Sequence, residues 1–206
     1  YFLTIAAALF TIYSFADFND IQKGYTIEEL RNLYGSGDHS KWPAPHLFDD
    51  AKPGFQDIGV LPKPTFPESN PYSKEKEELG KLLFFDPRLS KSSQISCASC
   101  HDPELSWGDG RRVAYGHDRQ LGTRNTPSIL NIVYAKEFFW DGRVKTLEEQ
   151  VKAPIENPVE MNFHSRLAVK RIAKINGYKE YFTKAYGDDK VTEDRITKAI
   201  ATFERT

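Results

Sequence analysis

Apolar residues recur at helical spacing along much of this chain. In one stretch Leu79, Leu82 and Leu83 form an i, i+3, i+4 stripe, which is typical of a helix that buries one face. No stretch alternates well enough to predict a β-strand. The pattern predicts an all-α protein with long loops, whose helices span residues 26–33, 73–84, 128–134, 146–153, 165–175, 178–186 and 192–205, with a short helix from Ser96.

Several of these helices begin at a residue suited to capping. Thr26 and Ser73 can each accept a hydrogen bond from the first turn that follows them. Thr146 with Glu149 has the spacing of a capping box. In the last helices the residues expected to face the core are Leu167, Val169, Ile172, Ile175, Ile196, Ile200 and Phe203.

The first 70 residues follow a different pattern. Residues 1–16 are apolar and uncharged, and residues 14–16 resemble the small-x-small end of a signal peptide. The apolar run is short for a bilayer span, which needs about 20 apolar residues. We expect residues 1–18 to be a retained membrane anchor, with an uncleaved signal segment as the alternative. Residues 19–70 are predicted to be an extended linker, because prolines interrupt both helices and strands; they include Pro43, Pro45, Pro53, Pro62, Pro64 and Pro67.

Composition narrows the functional classes. The net charge is −1 and no basic stripe is present, so we expect no nucleic-acid partner. The length of 206 residues suits one domain, or one domain with extensions. Apolar residues make up 39% of the chain, which is enough for a packed core.

Both cysteines of the chain lie in one motif, Cys97-Ala98-Ser99-Cys100-His101. The C-x-x-C-H pattern is the signal for covalent attachment of a c-type haem. A zinc site would need a second pair of ligands, and a redox dithiol would normally lie in a βαβ unit. We therefore predict one haem c bound to Cys97 and Cys100, with His101 as an iron ligand. Because c-type haem is attached outside the cytoplasm, the motif also favours a periplasmic location.

The second axial position of the iron decides what such a haem does. A strong ligand there favours electron transfer, whereas an open position allows peroxide or oxygen to bind. A single histidine is more often a surface or loop residue than a ligand, and a single methionine is often core filler. His117 is the favoured candidate because it lies in a Gly-rich loop that could move; the others are Met161, His164, His46 and His39.

Several segments around the motif occur together in a known pattern. The stretch 79–90 leads into the cysteines, and segments 122–127, 139–143 and 158–162 follow them in order. From about residue 71 to the C-terminus the chain resembles the N-terminal domain of bacterial di-haem cytochrome c peroxidases. The related di-haem enzyme that matures methylamine dehydrogenase shares most of this pattern. The resemblance implies a cytochrome c-like haem domain over residues 71–206.

The resemblance also implies roles for individual residues. His101 matches the proximal ligand, and His117 matches the histidine that occupies the distal site in the resting oxidised enzyme. Trp140 matches the tryptophan that carries electrons between the two haems. The distal pair is matched by Gln150, which would orient peroxide, and Glu160, the expected general acid–base group. A carboxyl group in an apolar haem pocket should have a raised pKa.

Three further residues have two interpretations each. Asn125 matches a ligand of the calcium ion between the domains of the family, and an amide oxygen suits calcium. It could equally be a turn residue ahead of Thr126-Pro127. Arg124 and Arg143 suit the carboxylates of haem propionates, and surface ion pairs are an equal alternative.

The leading functional hypothesis is the reduction of hydrogen peroxide to water, with electrons from a small cytochrome c or copper protein. One alternative is a single-haem electron-transfer subunit of a membrane complex. Another is oxidation of Trp or Tyr in a protein partner, against which His117 argues because the maturation enzyme has no histidine there. The family has two haems and this chain has one C-x-x-C-H motif. We therefore expect the chain to be the N-terminal half of a longer protein whose second haem domain is absent here.

Overall fold

The computed structural model describes residues 24–45, 47–55 and 59–206. The predicted anchor or signal segment at residues 1–18 and the iron-ligand candidate His46 lie outside these ranges. The described chain divides after Leu61 into two units. Within these ranges no helix is long and apolar enough to cross a membrane.

The described residues of the first unit include the α-helix α1 (Ile27–Gly35). Thr26 caps it as predicted: the Glu29 amide donates to the Thr26 hydroxyl over 3.2 Å, and the Thr26 amide donates to the Glu29 carboxylate over 2.6 Å. The remaining described residues of this unit form short 3₁₀ turns and irregular backbone. The His39 ring lies 4.2 Å from the Trp42 ring, centroid to centroid.

The second unit is helical, which confirms the predicted all-α class. No β-strand occurs in the described ranges, where only three isolated antiparallel bridges are found. Short 3₁₀ turns connect the helices, and one of them, Cys97–Ser99, replaces the helix expected near Ser96. The helices are α2 (Lys74–Phe84), α3 (Leu147–Glu156), α4 (Ser165–Ala173), α5 (Asn176–Tyr186) and α6 (Glu193–Glu204).

The core of this unit lies where α2 and α6 cross. At the crossing point Gly80 approaches the backbone of Ala199 so closely that an added Cβ would lie 1.9 Å from the Ala199 carbonyl oxygen. The helices can therefore pack at this distance only because Gly80 has no side chain. Fully buried side chains around the crossing include Leu79, Leu83, Phe84, Leu89, Ile172, Phe182 and Ile200.

Some details differ from the sequence predictions. Leu82 and Leu167 were expected to face the core, but their side chains are 40% and 50% exposed, because each helix here buries a narrower face than the pattern suggested. Residues 128–134 form only the 3₁₀ turn Ile132–Tyr134. Helix α3 continues past Ala153 through Pro154, whose carbonyl accepts a hydrogen bond from the Met161 amide over 3.2 Å.

Candidate active site

A cavity of about 540 Å³ lies between the loop segments and helices α3 and α6. Its volume falls within the ~300–1,000 Å³ typical of ligand and cofactor sites. Its walls come from parts of the chain that are distant in sequence: residues 95–101, 114–116, 121–129, 137–143, the inner face of α3, the turn 157–161 and Glu204. The haem motif and the predicted distal pair, Gln150 and Glu160, are thus brought to one site.

The two cysteines lie on one wall of the cavity at a tight turn. The His101 amide donates to the Cys97 carbonyl over 2.9 Å, and the Ser96 amide donates to the Ser99 hydroxyl over 3.0 Å. Both thiols are free and half-buried. Burial raises the pKa of Cys100 to about 11 and raises the pKa of Cys97 further. Both sulfurs are therefore neutral thiols at neutral pH, on the same cavity wall as His101.

His101 is oriented by a hydrogen bond from its ring. Its Nδ1 lies 3.1 Å from the carbonyl oxygen of Trp107. A carbonyl can only accept, so Nδ1 carries the proton and Nε2 keeps its lone pair. Metal-binding histidines are commonly fixed in this way by a bond to the second ring nitrogen. Burial lowers the pKa of His101, which favours the neutral ring that a metal requires.

Glu160 and Gln150 both line the cavity, on the turn after α3 and on α3 itself. The side-chain amide of Asn157 donates to Glu160 Oε1 over 2.7 Å. Burial raises the pKa of Glu160, although the Asn157 bond and the positive charge of Arg143 act in the opposite direction. The expected pair of a half-buried carboxyl group and an amide therefore faces the same space as His101.

His117 is buried but is not among the residues that line the cavity. Its Nε2 lies 3.3 Å from the Asp118 carboxylate, and its buried Nδ1 has no hydrogen-bond partner among the described residues. The His117 backbone amide donates to the carbonyl oxygens of Val159, over 3.0 Å, and Glu160, over 2.7 Å. The neighbouring Gly116 allows this contact, since an added Cβ would lie 1.9 Å from the Val159 oxygen. In this conformation Glu160 lines the cavity and the His117 ring does not.

Three charged residues lie together at the cavity mouth. Asp141 accepts hydrogen bonds of 2.8 Å from Arg124 and from Arg143. These bonds, from Arg124 and then Arg143, lower the pKa of Asp141 to about 2. Each guanidinium has further N–H groups that can donate hydrogen bonds. The two positive charges of Arg124 and Arg143 exceed the single negative charge of Asp141. The group can therefore still attract an anionic substituent of a cofactor.

Trp140 and Asn125 are also at the mouth. The Trp140 side chain is 63% exposed, and its Nε1 donates to the Asn125 carbonyl oxygen over 2.7 Å. The Asn125 side-chain amide donates to the Arg111 carbonyl, which leaves its Oδ1 as the group that could bind calcium. In the described ranges no cluster of three or more His, Cys, Asp or Glu residues could hold a metal ion. A calcium site at Asn125 stays a prediction.

The other iron-ligand candidates have different positions. Met161 is buried and lines the cavity. His164 is exposed and caps α4, because its Nδ1 accepts a hydrogen bond from the Arg166 amide over 3.2 Å. His39 belongs to the first unit, where it packs on Trp42. Of these three, only Met161 faces the site.

Sequence reasoning missed Trp107, Asn157 and Glu204. Trp107 acts through its backbone carbonyl, for which no side-chain pattern exists. Asn157 lies three residues before Glu160, a spacing that could have indicated a side-chain contact. Glu204 is at the C-terminal end of α6, where its acidic type suggested an exposed position rather than a cavity wall.

The residues present fit a covalently bound haem. Two thiols and a neutral imidazole lie on one wall, apolar side chains such as Ile129, Ile132 and Phe138 form other parts, and two arginines are at the mouth. This is the set of groups required to bind a porphyrin by two thioether bonds, to ligate its iron and to pair its propionates.

Comparisons with known proteins agree with this site. A family model described as di-haem cytochrome c peroxidase matches residues 74–206. The chain is 46% identical over 140 residues to methylamine utilization protein MauG of Methylophilus methylotrophus, covering 68% of this chain and 42% of that protein. It is 48% identical over 136 residues to cytochrome c551 peroxidase of Nitrosomonas europaea, covering 66% of this chain and 41% of that protein.

A solved structure is also similar. The crystal structure of a MauG-like protein associated with microbial copper homeostasis superposes with a TM-score of 0.66 at 33% identity, over 70% of this chain and 44% of that one. The chain thus spans about two fifths of the length of the relatives it matches. The matched region includes the haem motif, the distal pair and the arginines of the cavity mouth, and the chain belongs to the di-haem cytochrome c peroxidase family.

Proposed function

We propose that this chain forms the peroxide-reacting haem domain of a periplasmic cytochrome c peroxidase. The reaction is H₂O₂ with two electrons and two protons giving two water molecules, with electrons from a small cytochrome c or copper protein. The observation that carries the proposal is Glu160, a carboxyl group with a raised pKa that faces the same cavity as Cys97, Cys100 and His101.

The roles of the residues follow from their chemistry. Attached through Cys97 and Cys100 and ligated by His101 Nε2, the haem would supply an iron site for peroxide and deliver the electrons for its reduction. Arg124 and Arg143 would pair with its propionates at the mouth. Trp140, exposed beside them, would carry electrons from a second haem.

The proton transfer belongs to Glu160. Before the O–O bond breaks, one oxygen of peroxide must lose a proton and the leaving oxygen must gain one. The bond from Asn157 occupies Glu160 Oε1, so Oε2 is the atom that accepts this proton and returns it. The Gln150 amide, on the same cavity surface, orients the peroxide by hydrogen bonds. Because Glu160 must be ionised to act as a base, turnover should fall as the pH falls through its raised pKa.

The test is Glu160→Gln in the haem-loaded protein. We expect peroxide turnover to fall by roughly 10²- to 10⁴-fold, the usual effect of removing a general acid–base group, and the acid limb of the pH–rate profile to disappear. Haem content and the optical spectrum should stay unchanged. Glu104→Gln, which removes an exposed carboxyl group, is the matched control and should keep full turnover. Full turnover in the Glu160 variant would contradict the proposal.

The two alternative functions predict different results. An electron-transfer subunit of a membrane complex requires a permanently filled sixth iron position, for instance by His117, whose ring would then have to turn into the cavity. A low-spin spectrum that ignores added peroxide after partial reduction would favour that function. Oxidation of Trp or Tyr in a partner would leave a modified residue, which mass spectrometry of the partner detects. The calcium ligand role of Asn125 can be tested by calcium titration of the Asn125→Ala variant.

A further inference from the structure

Glu204 is a carboxyl group in the wall of the haem cavity that the peroxidase mechanism does not use. It lies in the last turn of α6 and lines the cavity near Cys97, whose thiol pKa it helps to raise. Its Oε2 is buried and has no hydrogen-bond partner among the described residues. A buried carboxylate normally has donors or a counter-ion, because ionisation without them is costly.

The adjacent cation is committed to another group. Arg205, the next residue, donates to both oxygens of Glu148 on α3, over 2.7 and 2.9 Å. Burial raises the pKa of Glu204 to about 8, while the charge of Arg205 lowers it and the charge of Glu148 raises it. The carboxyl group is therefore poised between its neutral and ionised forms near neutral pH.

We propose that Glu204 is a proton-binding site coupled to electron uptake by the haem. When the haem gains one electron, the Glu204 carboxylate binds one proton from solvent, and when the haem loses that electron the proton is released. An oxidised haem carries one more positive charge than a reduced one, and this charge stabilises a carboxylate in the same low-dielectric cavity. The proposal rests on haem attachment at Cys97 and Cys100 but not on peroxide turnover.

The other titratable groups of the cavity differ from Glu204. Cys97 loses its thiol proton permanently when the thioether forms. Glu160 also has a raised pKa in the same cavity, but unlike Glu204 it has a hydrogen-bond donor in Asn157 and a nearby cation in Arg143. Asp141 stays ionised between two arginines. The haem propionates and Glu160 are the competing proton sites, and the experiment must separate them from Glu204.

The primary test is a redox titration of the haem-loaded protein at a series of pH values around the raised pKa. We expect the midpoint potential to fall as pH rises within a window that includes that pKa. The limiting slope is a tenfold change in the reduction equilibrium per pH unit, which is 59 mV for one electron. In Glu204→Gln the potential should be independent of pH in this window. Glu104→Gln, an exposed-carboxyl control, should keep the slope. An unchanged slope in Glu204→Gln would overturn the proposal and assign the proton to the propionates or to Glu160.

A second measurement does not need a folded variant. Infrared difference spectra between the reduced and oxidised unmodified holoprotein should show the C=O band of a protonated carboxyl group on reduction. If the protein is made with ¹³C-carboxyl glutamate while the haem is built from unlabelled δ-aminolevulinic acid, the band must shift when the group is a glutamate and stay when it is a propionate. The shifted band must also persist in Glu160→Gln if the group is Glu204. A band that does not shift, or no band at all, would contradict the proposal. Either outcome leaves the peroxidase function open, because that function depends on Glu160.

Discussion

Asp86 is a buried carboxylate in the segment that leads into the haem motif, and it connects this segment to helix α5. Its side chain accepts hydrogen bonds from Arg88 Nη2 over 2.7 Å and from the Tyr178 hydroxyl over 2.6 Å. Burial by itself raises the pKa of Asp86, but the bonds from Arg88 and Tyr178 outweigh it and bring the pKa below its ordinary value. A carboxyl group with a lowered pKa stabilises the fold above its unfolded-state pKa, and this contribution is lost as pH falls through the folded-state pKa.

This network gives a prediction for Tyr178→Phe. Removing one hydrogen bond to a buried charge should lower the free energy of unfolding by about 1.5–3 kcal/mol at neutral pH. The difference from the unmodified protein should shrink as the pH falls below the folded-state pKa of Asp86. Urea unfolding at several pH values measures both effects. Tyr181→Phe on the same helix is the control, since its hydroxyl makes no hydrogen bond within the described ranges; equal losses for the two variants would contradict this account.

Residues whose place at the cavity follows from their chemical type could be predicted from the sequence. Cys97, Cys100 and His101 follow from their spacing, and Glu160 follows from its place in a known pattern. Glu204 could not be predicted, because nothing in the order of residues shows that Arg205 pairs with Glu148, 57 positions away. Its unpaired state is a property of the packing.

At the scale of elements, the α2–α6 crossing depends on Gly80. An alanine there would place its Cβ 1.9 Å from the Ala199 carbonyl oxygen and 2.6 Å from the carbonyl carbon, both backbone atoms of the partner helix. We expect Gly80→Ala to lower the free energy of unfolding by about 1–3 kcal/mol, since overpacking outweighs the ~1 kcal/mol that alanine gains in helix propensity. Thermal or urea unfolding measures this change.

Gly177→Ala is the matched control within α5. No atom outside the neighbouring residues lies within 4 Å of the added Cβ, so alanine should leave the protein equally stable or stabilise it by about 0.4–1 kcal/mol. If Gly80→Ala were also neutral, the close approach of the two helices would not be a constraint on the sequence.

Helix starts were easier to predict than helix ends or faces. Thr26, Ser73 and Thr146 cap their helices through their own side chains, and each accepts the expected backbone hydrogen bond. The end of α3 could not be predicted from the sequence, because a proline such as Pro154 normally ends a helix. Here the last turn is held by contacts with the following turn, where the Phe163 amide donates to the Ile155 carbonyl over 2.8 Å. Tertiary contacts decided this boundary.

The second unit as a whole combines two kinds of structure. Helices α2 and α4–α6 supply most of its fully buried side chains. Residues 102–145 contain no α-helix, and their regular structure consists of short 3₁₀ turns and isolated bridges. Many of their side chains face the cavity, including Leu121, Ile129 and Ile132. The glycines indicated a loop over residues 102–126, but residues 128–134 were expected to be helical and form only a 3₁₀ turn. The apolar side chains that this segment turns towards the cavity gain a packing partner only when a cofactor is bound.

This division predicts how the protein responds when it has no haem. In the Cys97→Ala/Cys100→Ala variant the porphyrin cannot be held covalently, and the apolar side chains of the loop lose their packing partner. Amides of residues 111–145 should then exchange with deuterium roughly tenfold faster or more, because their local opening costs less free energy. Amides of α5, which does not line the cavity, should keep their protection. Hydrogen-exchange mass spectrometry of the haem-loaded protein and the variant measures both regions at once. Equal loss of protection in α5 would mean that the haem holds the whole helical core, and no loss in the loop would mean that the cavity is ordered without it.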